Sequence, residues 1–276
     1  MRKLLSVAAV LGAALAIGIA PAGAITDGEL DGNGHPYVGL MVAYADANAT
    51  QPLWRCSGTL MSSTVFLTAG HCTEAPAQSA RVWFDADVQA LTCPSGTLPP
   101  ASCYPFGGGD SHTGDVFGHP QYNPNAFFLF DLGVVVLDAP VTKPTYGELP
   151  TLNQLDALKP NRSTTFDAVG YGLQKSFPIA AAWKNVAQRV RMIAHPHLVQ
   201  INTGFVGDFS LLLSNNTNTG GTCFGDSGGP NFLAGTNVVA GVTSYGLNRP
   251  CGGTGGVYRV DRADDLTWLA TFGLTP

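Results

Sequence analysis

Three short segments of this chain carry residue types that, brought together, would activate a hydroxyl group. Thr222-Cys223-Phe224-Gly225-Asp226-Ser227-Gly228-Gly229-Pro230 sets a serine among glycines. Glycines let the backbone turn sharply, expose the hydroxyl and leave amide N–H groups unobstructed. Such amides can converge on a developing oxyanion, a contribution worth a few kcal/mol. A serine hydroxyl stays a poor nucleophile until a base takes its proton. Phe66-Leu67-Thr68-Ala69-Gly70-His71-Cys72 offers that base, a histidine just beyond a strand with a cysteine to fix the turn. Phe130-Asp131-Leu132-Gly133-Val134-Val135-Val136-Leu137 puts an acid at the head of an apolar strand. A carboxylate on the second ring nitrogen of a histidine holds the tautomer and stabilises the imidazolium. Each segment alone reads more plainly as a surface histidine, a turn aspartate or a glycine turn. Their combination is far more specific than its parts.

The elements that must position these groups are short. β-prone runs at Thr64–Thr68, Ala80–Phe84, Leu132–Leu137, Phe166–Tyr171, Gln188–Ile193 and Val238–Thr243 alternate with Gly, Pro and Asn. That rhythm predicts an all-β barrel or sandwich rather than alternating strands and helices. One helix is expected over Asp261–Phe272, capped by Asp261, with Leu266, Leu269 and Phe272 on one face. Residues 92–125, rich in Gly, Pro, Ser and Asp, read as an exposed loop insertion, its core at 92–118.

Arg2 and Lys3, an apolar run to about Ala20 and the small residues Pro21-Ala22-Gly23-Ala24 form a signal-peptide pattern over residues 1–24. The expected protein is secreted and extracellular, with 25–276 as its mature part. The formal charge of −5 and the lack of a Lys/Arg cluster argue against nucleic acid or an anionic membrane as partner. No stable membrane association is expected, and the chain is expected to be a monomer. Cys56, Cys72, Cys93, Cys103, Cys223 and Cys251 form an even set, which in an oxidising compartment reads as disulfides with the pairing left open. No C-x-x-C pair supports zinc, His195-Pro196-His197 supplies too few ligands for a metal, and no calcium loop is present. No metal and no cofactor are expected. Asn48, Asn161 and Asn215 each begin an N-glycosylation pattern.

Chain order discriminates between catalytic arrangements. Gly225-Asp226-Ser227-Gly228-Gly229 satisfies G-x-S-x-G, but that elbow belongs to enzymes whose histidine follows the serine. No histidine occurs after Gly228. The order is His, Asp, Ser. With LTAGHC, DLGVVVL and GDSGGP in that order, and His119-Pro120-Gln121-Tyr122-Asn123 before the aspartate, residues 25–276 resemble the chymotrypsin–trypsin family of secreted serine proteases.

The resemblance implies two packed six-stranded antiparallel Greek-key β-barrels with a C-terminal helix, divided near 25–145 and 146–276. It implies a serine endopeptidase acting on protein or peptide substrates, with His71, Asp131 and Ser227 as triad and the amides of Gly225 and Ser227 as oxyanion hole. Cys56–Cys72 would brace the histidine loop and Cys223–Cys251 the serine loop, leaving Cys93–Cys103. Gly221, Thr222, Phe224, Ser244, Tyr245, Gly246 and Gly256 would form the substrate pocket. Trypsin-like members carry an aspartate where Gly221 stands, and the pocket segments offer no acid except Asp226. Cleavage after neutral apolar or aromatic residues is therefore expected, because burying an unpaired Lys or Arg is costly. Asp226 is expected to pair with an ammonium at Ile25, freed by removal of residues 1–24. A non-catalytic binding protein on the same scaffold is the competing reading. Such proteins typically lose a triad residue or the oxyanion glycine, and this chain keeps each.

Overall fold

A computed structural model describes residues 25–92 and 108–276. The expected leader and the Cys93–Cys103 pair lie outside the described residues. The strands are β1 (Glu29–Leu30), β2 (Val38–Tyr44), β3 (Pro52–Leu60), β4 (Val65–Thr68), β5 (Ser79–Trp83), β6 (Ser111–Gly118) and β7 (Gly133–Leu137). They continue with β8 (Asn161–Gly170), β9 (Met192–Ala194), β10 (His197–Ile201), β11 (Ser210–Asn215), β12 (Pro230–Leu233), β13 (Val239–Gly246) and β14 (Gly253–Arg259). Two single-turn helices, α1 (Gly70–Thr73) and α2 (Gln89–Thr92), precede the C-terminal α3 (Ala263–Ala270).

Strands β2-β3-β4-β7-β6-β5 close one antiparallel barrel. In the second, β8-β10-β11-β14-β13-β12 closes where β12 returns to β8, and β9 and β1 extend from the far end of β8. β9 and β10 both pair with β8 and form one line broken at His195-Pro196, since proline has no N–H to give a ladder. The core of the first barrel is aliphatic and aromatic: Leu40, Val42, Phe66, Leu67, Val82, Trp83, Val134 and Val135 are all buried. β7, the expected apolar strand behind Asp131, pairs with β4 behind His71, so one ladder carries both residues at its end.

Three expectations change. β6 lies inside the supposed loop insertion and completes the first barrel between β5 and β7. Its polar sequence reflects an outer face in solvent, and Gly114 is needed because a Cβ there would lie 2.4 Å from the Val136 carbonyl oxygen. The run Gln188–Ile193 is strand only at its end. Arg191 is fully buried, and its guanidinium donates to Asp31 (2.9 Å), to the carbonyls of Gly32, Val38 and Phe84, and to the Tyr171 hydroxyl. That hub ties the N-terminal segment to both barrels. Asp261 does not cap α3, whose N-cap is Arg262. Its buried carboxylate accepts Arg259 Nε (2.7 Å) and the Leu155 amide (2.8 Å) instead. Leu269 is buried on the expected helix face, with Leu266 and Phe272 half-buried beside it.

Candidate active site

His71 stands in α1, a turn fastened from several sides. Cys72 is disulfide-bonded to Cys56 of β3, its carbonyl accepts the Trp54 indole N–H at 3.0 Å, and the Thr73 hydroxyl donates to the Gly70 carbonyl. The Asp131 carboxylate is fully buried. It accepts the backbone N–H of His71 (2.9 Å), His71 Nδ1 (3.0 and 3.1 Å) and the Ser244 hydroxyl (2.5 Å). Burial pulls the imidazole down, but the charge and hydrogen bond of Asp131, with Glu74 beyond, hold it above the usual imidazole range. His71 and Ser227 line the same cavity, about 400 Å³ in volume.

The serine loop, residues 216–229, is held by its own amides. Asp226 N–H donates to the Cys223 carbonyl, Gly228 N–H to Thr243 and Gly229 N–H to Asp226. The amides of Gly225 and Ser227 make no internal hydrogen bond among the described residues. Gly225 has φ of 95°, a left-handed value that suits glycine. Ser57, which the sequence gave no reason to single out, bridges the barrels here. Its hydroxyl donates to the Gly225 carbonyl and accepts the Tyr171 amide, each at 3.0 Å, while its own amide donates to the Ser227 carbonyl at 2.8 Å.

Asp226 points away from the cavity and is fully buried. It accepts the amides of Gly172 (2.7 Å) and Cys223 (2.9 Å). Burial pushes its carboxyl up to about 7, against those hydrogen bonds and the field of Arg55. A Cβ on Gly172 would lie 2.4 Å from its Oδ2, so glycine is what admits the carboxylate. Ile25 is buried among Ala168, Met192 and Ala194, and Thr26 exchanges both backbone hydrogen bonds with Gly221.

The cavity is lined by Thr222, Phe224, Ser244, Tyr245 and Gly246, all singled out in the sequence, and by Phe127, Thr243, Asn248 and Thr254, which were not. No carboxylate lines it among the described residues. Gly255, rather than Gly256, faces Thr222, since a Cβ there would lie 2.8 Å from the Thr222 hydroxyl. A Cβ on Gly256 would instead meet the Tyr245 ring at 2.2 Å. Gly221 lies behind the floor, where a Cβ would fall 2.3 Å from Asn215 Cγ. Asn215 holds that floor: its amide donates to the Thr222 carbonyl (2.7 Å) and its oxygen accepts the Thr26 hydroxyl (2.8 Å). A side chain so enclosed cannot carry a glycan, which removes one of the three glycosylation patterns. Phe127 and Phe205 meet the Tyr245 ring edge-on at 6.3 and 6.0 Å, so Phe127 and Tyr245 form an aromatic wall of the cavity with Phe205 outside it against Tyr245. Phe127, which opens the apolar run Phe127-Phe128-Leu129-Phe130 before Asp131, is the sequence signal that marks this wall.

Cys223 and Cys251, both lining the cavity, are disulfide-bonded to each other. The only grouping of potential metal ligands among the described residues is Cys56, His71 and Cys72. Both its sulfurs are spent in a disulfide, so it offers no thiolate. His195 lies on the surface against Asp167 (2.8 Å) and Glu29 (3.6 Å). Chemically, the arrangement can polarise a serine hydroxyl through an imidazole backed by a buried carboxylate, beside two unspent amides and a neutral pocket.

A family model described as Trypsin matches residues 34–266. No curated protein matches the chain. Among solved structures, HL collagenase superposes with a TM-score of 0.65 at 20% identity, covering 91% of this chain and 100% of that one. Human heparin binding protein superposes with a TM-score of 0.63 at 18% identity, covering 90% of this chain and 96% of that one. Likeness at this identity is one of fold, and fold alone does not set the activity.

Proposed function

Because this chain belongs to the trypsin family and is a serine-type endopeptidase with protein substrates, we propose that it cleaves them through an acyl-enzyme on Ser227. His71 takes the Ser227 proton as the hydroxyl attacks the scissile carbonyl, then returns it to the leaving amine. Asp131, steadied by Ser244, keeps the His71 Nδ1 proton in place and stabilises the imidazolium. The amides of Gly225 and Ser227 receive the oxyanion. Water then repeats the sequence on the ester. The observation that carries this reading is the buried Asp131 carboxylate bonded at once to His71 Nδ1 and Ser244 Oγ, with Ser227 in the same cavity.

The specificity follows from the cavity. Its lining lacks a carboxylate among the described residues, and Phe127, Phe224 and Tyr245 give it aromatic surface, with Phe205 packed edge-on against Tyr245. A neutral apolar or aromatic side chain fits such walls; a buried Lys or Arg would lack a counter-charge. The pocket role extends to Gly246 as a backbone wall and to Gly255 beside Thr222, with Gly221 behind the floor and Gly256 against the Tyr245 ring.

Export is read from residues 1–24. Cleavage before Ile25 would free an ammonium on a segment already bonded to Gly221, and the buried Asp226 carboxyl is the group that would gain most from a cation. No described helix is long and apolar enough to cross a membrane. A monomer acting in the extracellular space completes the reading.

Labelling with a serine-directed phosphonate tests the nucleophile. Stoichiometric labelling that disappears in Ser227→Ala is expected; a label that persists in the variant, or none in the folded wild type, would contradict the assignment.

A further inference from the structure

The residue before Asp131 is held in an unusual conformation. Phe130 has φ of 52°, in the left-handed region that bulky side chains avoid. Such a residue persists only when its surroundings over-determine it. Its carbonyl accepts the Leu132 amide (2.8 Å), which closes a tight turn around Asp131, and the Leu132 carbonyl in turn accepts the His119 amide (2.8 Å). The His119 imidazole stacks on the Phe130 ring, centroids 5.1 Å apart and planes within 10°, and Trp268 of α3 meets that imidazole edge-on at 4.9 Å. The Phe130 backbone N–H faces the Tyr258 hydroxyl of β14, with which Phe130 lines one cavity, and that hydroxyl donates to both oxygens of Asp265 at 3.1 Å. Asp265 is fully buried on α3. His119 Nδ1 accepts the Gln121 amide (3.2 Å), so its ring proton sits on Nε2, which faces Asp265 Oδ1 at 3.9 Å.

We propose that Tyr258, Asp265 and His119 form a buried clamp that locks Phe130 in its left-handed turn and thereby aims the Asp131 carboxylate at His71. They are positioning residues, supplied by the last strand and helix of the chain and by the segment before the catalytic acid. The inference rests on the triad reading above. Hydrophobic packing alone does not require this chemistry. A carboxylate placed in the core is costly unless it is hydrogen-bonded, and Asp265 is placed against the hydroxyl that meets the Phe130 backbone. Burial, with Asp264 adding to it, pushes Asp265 up to about 8. It is therefore largely protonated at neutral pH and meets Tyr258 without an uncompensated charge. His119, pulled down by burial against the pull of Asp264, packs on Phe130 as a neutral ring.

The test is a steady-state comparison of the full chain, processed to begin at Ile25, with Tyr258→Phe, Asp265→Ala and Asp265→Asn. Each is read for kcat, KM, the pH profile of kcat/KM and melting temperature. Tyr258→Phe and Asp265→Ala are expected to lower kcat by about ten- to a hundred-fold, the scale of a small misplacement of a reacting group. KM should change by less than about two-fold, since ground-state binding is untouched. The acid limb should move to lower pH, because a less well aimed Asp131 holds the His71 imidazole up less. Asp265→Asn keeps an acceptor for Tyr258 and should lose less than Asp265→Ala. If Tyr258→Phe does not fold, the two Asp265 variants decide. Variants that melt earlier but keep the wild-type kcat and acid limb would overturn the clamp and leave the triad standing. A folded wild type that cleaves nothing would overturn the triad reading and this one with it.

Discussion

At the scale of single residues, the site depends as much on what is missing as on what is present. Gly172 admits the Asp226 carboxylate because it has no Cβ, and Gly221 leaves the space that Asn215 fills. Gly172→Ala should force the Asp226 loop outward and lower kcat/KM by at least about ten-fold, by shifting the Gly225 and Ser227 amides from the oxyanion. Progress curves on a soluble peptide check this, and wild-type kinetics would show that the loop tolerates displacement. Asp131→Asn should cost about four orders of magnitude in kcat, the loss seen when the same acid is neutralised in a related triad. His71, Asp131 and Ser227 could be singled out because nucleophile chemistry demands these types in glycine-rich and strand-end settings, and the structure sets His71 against Asp131 and on one cavity with Ser227. Ser57 and Asn215 could not. A serine in a strand and an asparagine at a strand end acquire their roles only when residues far away in sequence arrive, as Tyr171, Gly225, Thr26 and Thr222 do here.

At the scale of elements, the apolar strands were readable and the polar ones were not. β7 announces itself by Val134, Val135 and Val136, whereas β6, with Ser111, Thr113 and Asp115 on a wet face, looks like loop until β5 and β7 claim its edges. Residues near Gln188 look like strand because Val190 and Ile193 are apolar, yet Arg191 turns inward to bind the Val38 and Phe84 carbonyls of the first barrel and the Tyr171 hydroxyl beyond β8 of the second. The helix was expected from its face, but its cap was misassigned, since Arg259 competes for Asp261 more strongly than a helix terminus does. The Cys56–Cys72 bridge closes a loop of 16 residues. Its removal as Cys56→Ser with Cys72→Ser should destabilise the chain by about 3 kcal/mol, mostly through the unfolded state. Denaturant titration reads the loss. A change well under about 1 kcal/mol would mean that Trp54 and Thr73 hold the histidine turn without it.

At the scale of the whole molecule, pH acts on two buried acids with one sign. Asp265 and Asp226 are pushed by burial to about 8 and about 7, above the ordinary carboxylate value of 3.8. The folded state thus binds these protons more tightly than the unfolded one. Their contribution to stability is full below about pH 4 and is lost as the pH rises through 7 and 8. Asp265→Asn should flatten that decline between about pH 5 and pH 8, measured by chemical denaturation at each pH. An unchanged slope would mean that Asp265 is ionised in the folded protein. An ammonium at Ile25 paired with Asp226 would instead keep that acid ionised and extend activity into the alkaline range, until the amine itself titrates.

Incubating the chain that begins at Ile25 with a mixed peptide library, beside Ser227→Ala, tests the central claim most directly. The account predicts cuts after Tyr, Phe or Leu, absent from the variant. Cuts after Lys or Arg would contradict the neutral pocket, and no cuts from a folded wild type would contradict the catalytic assignment itself.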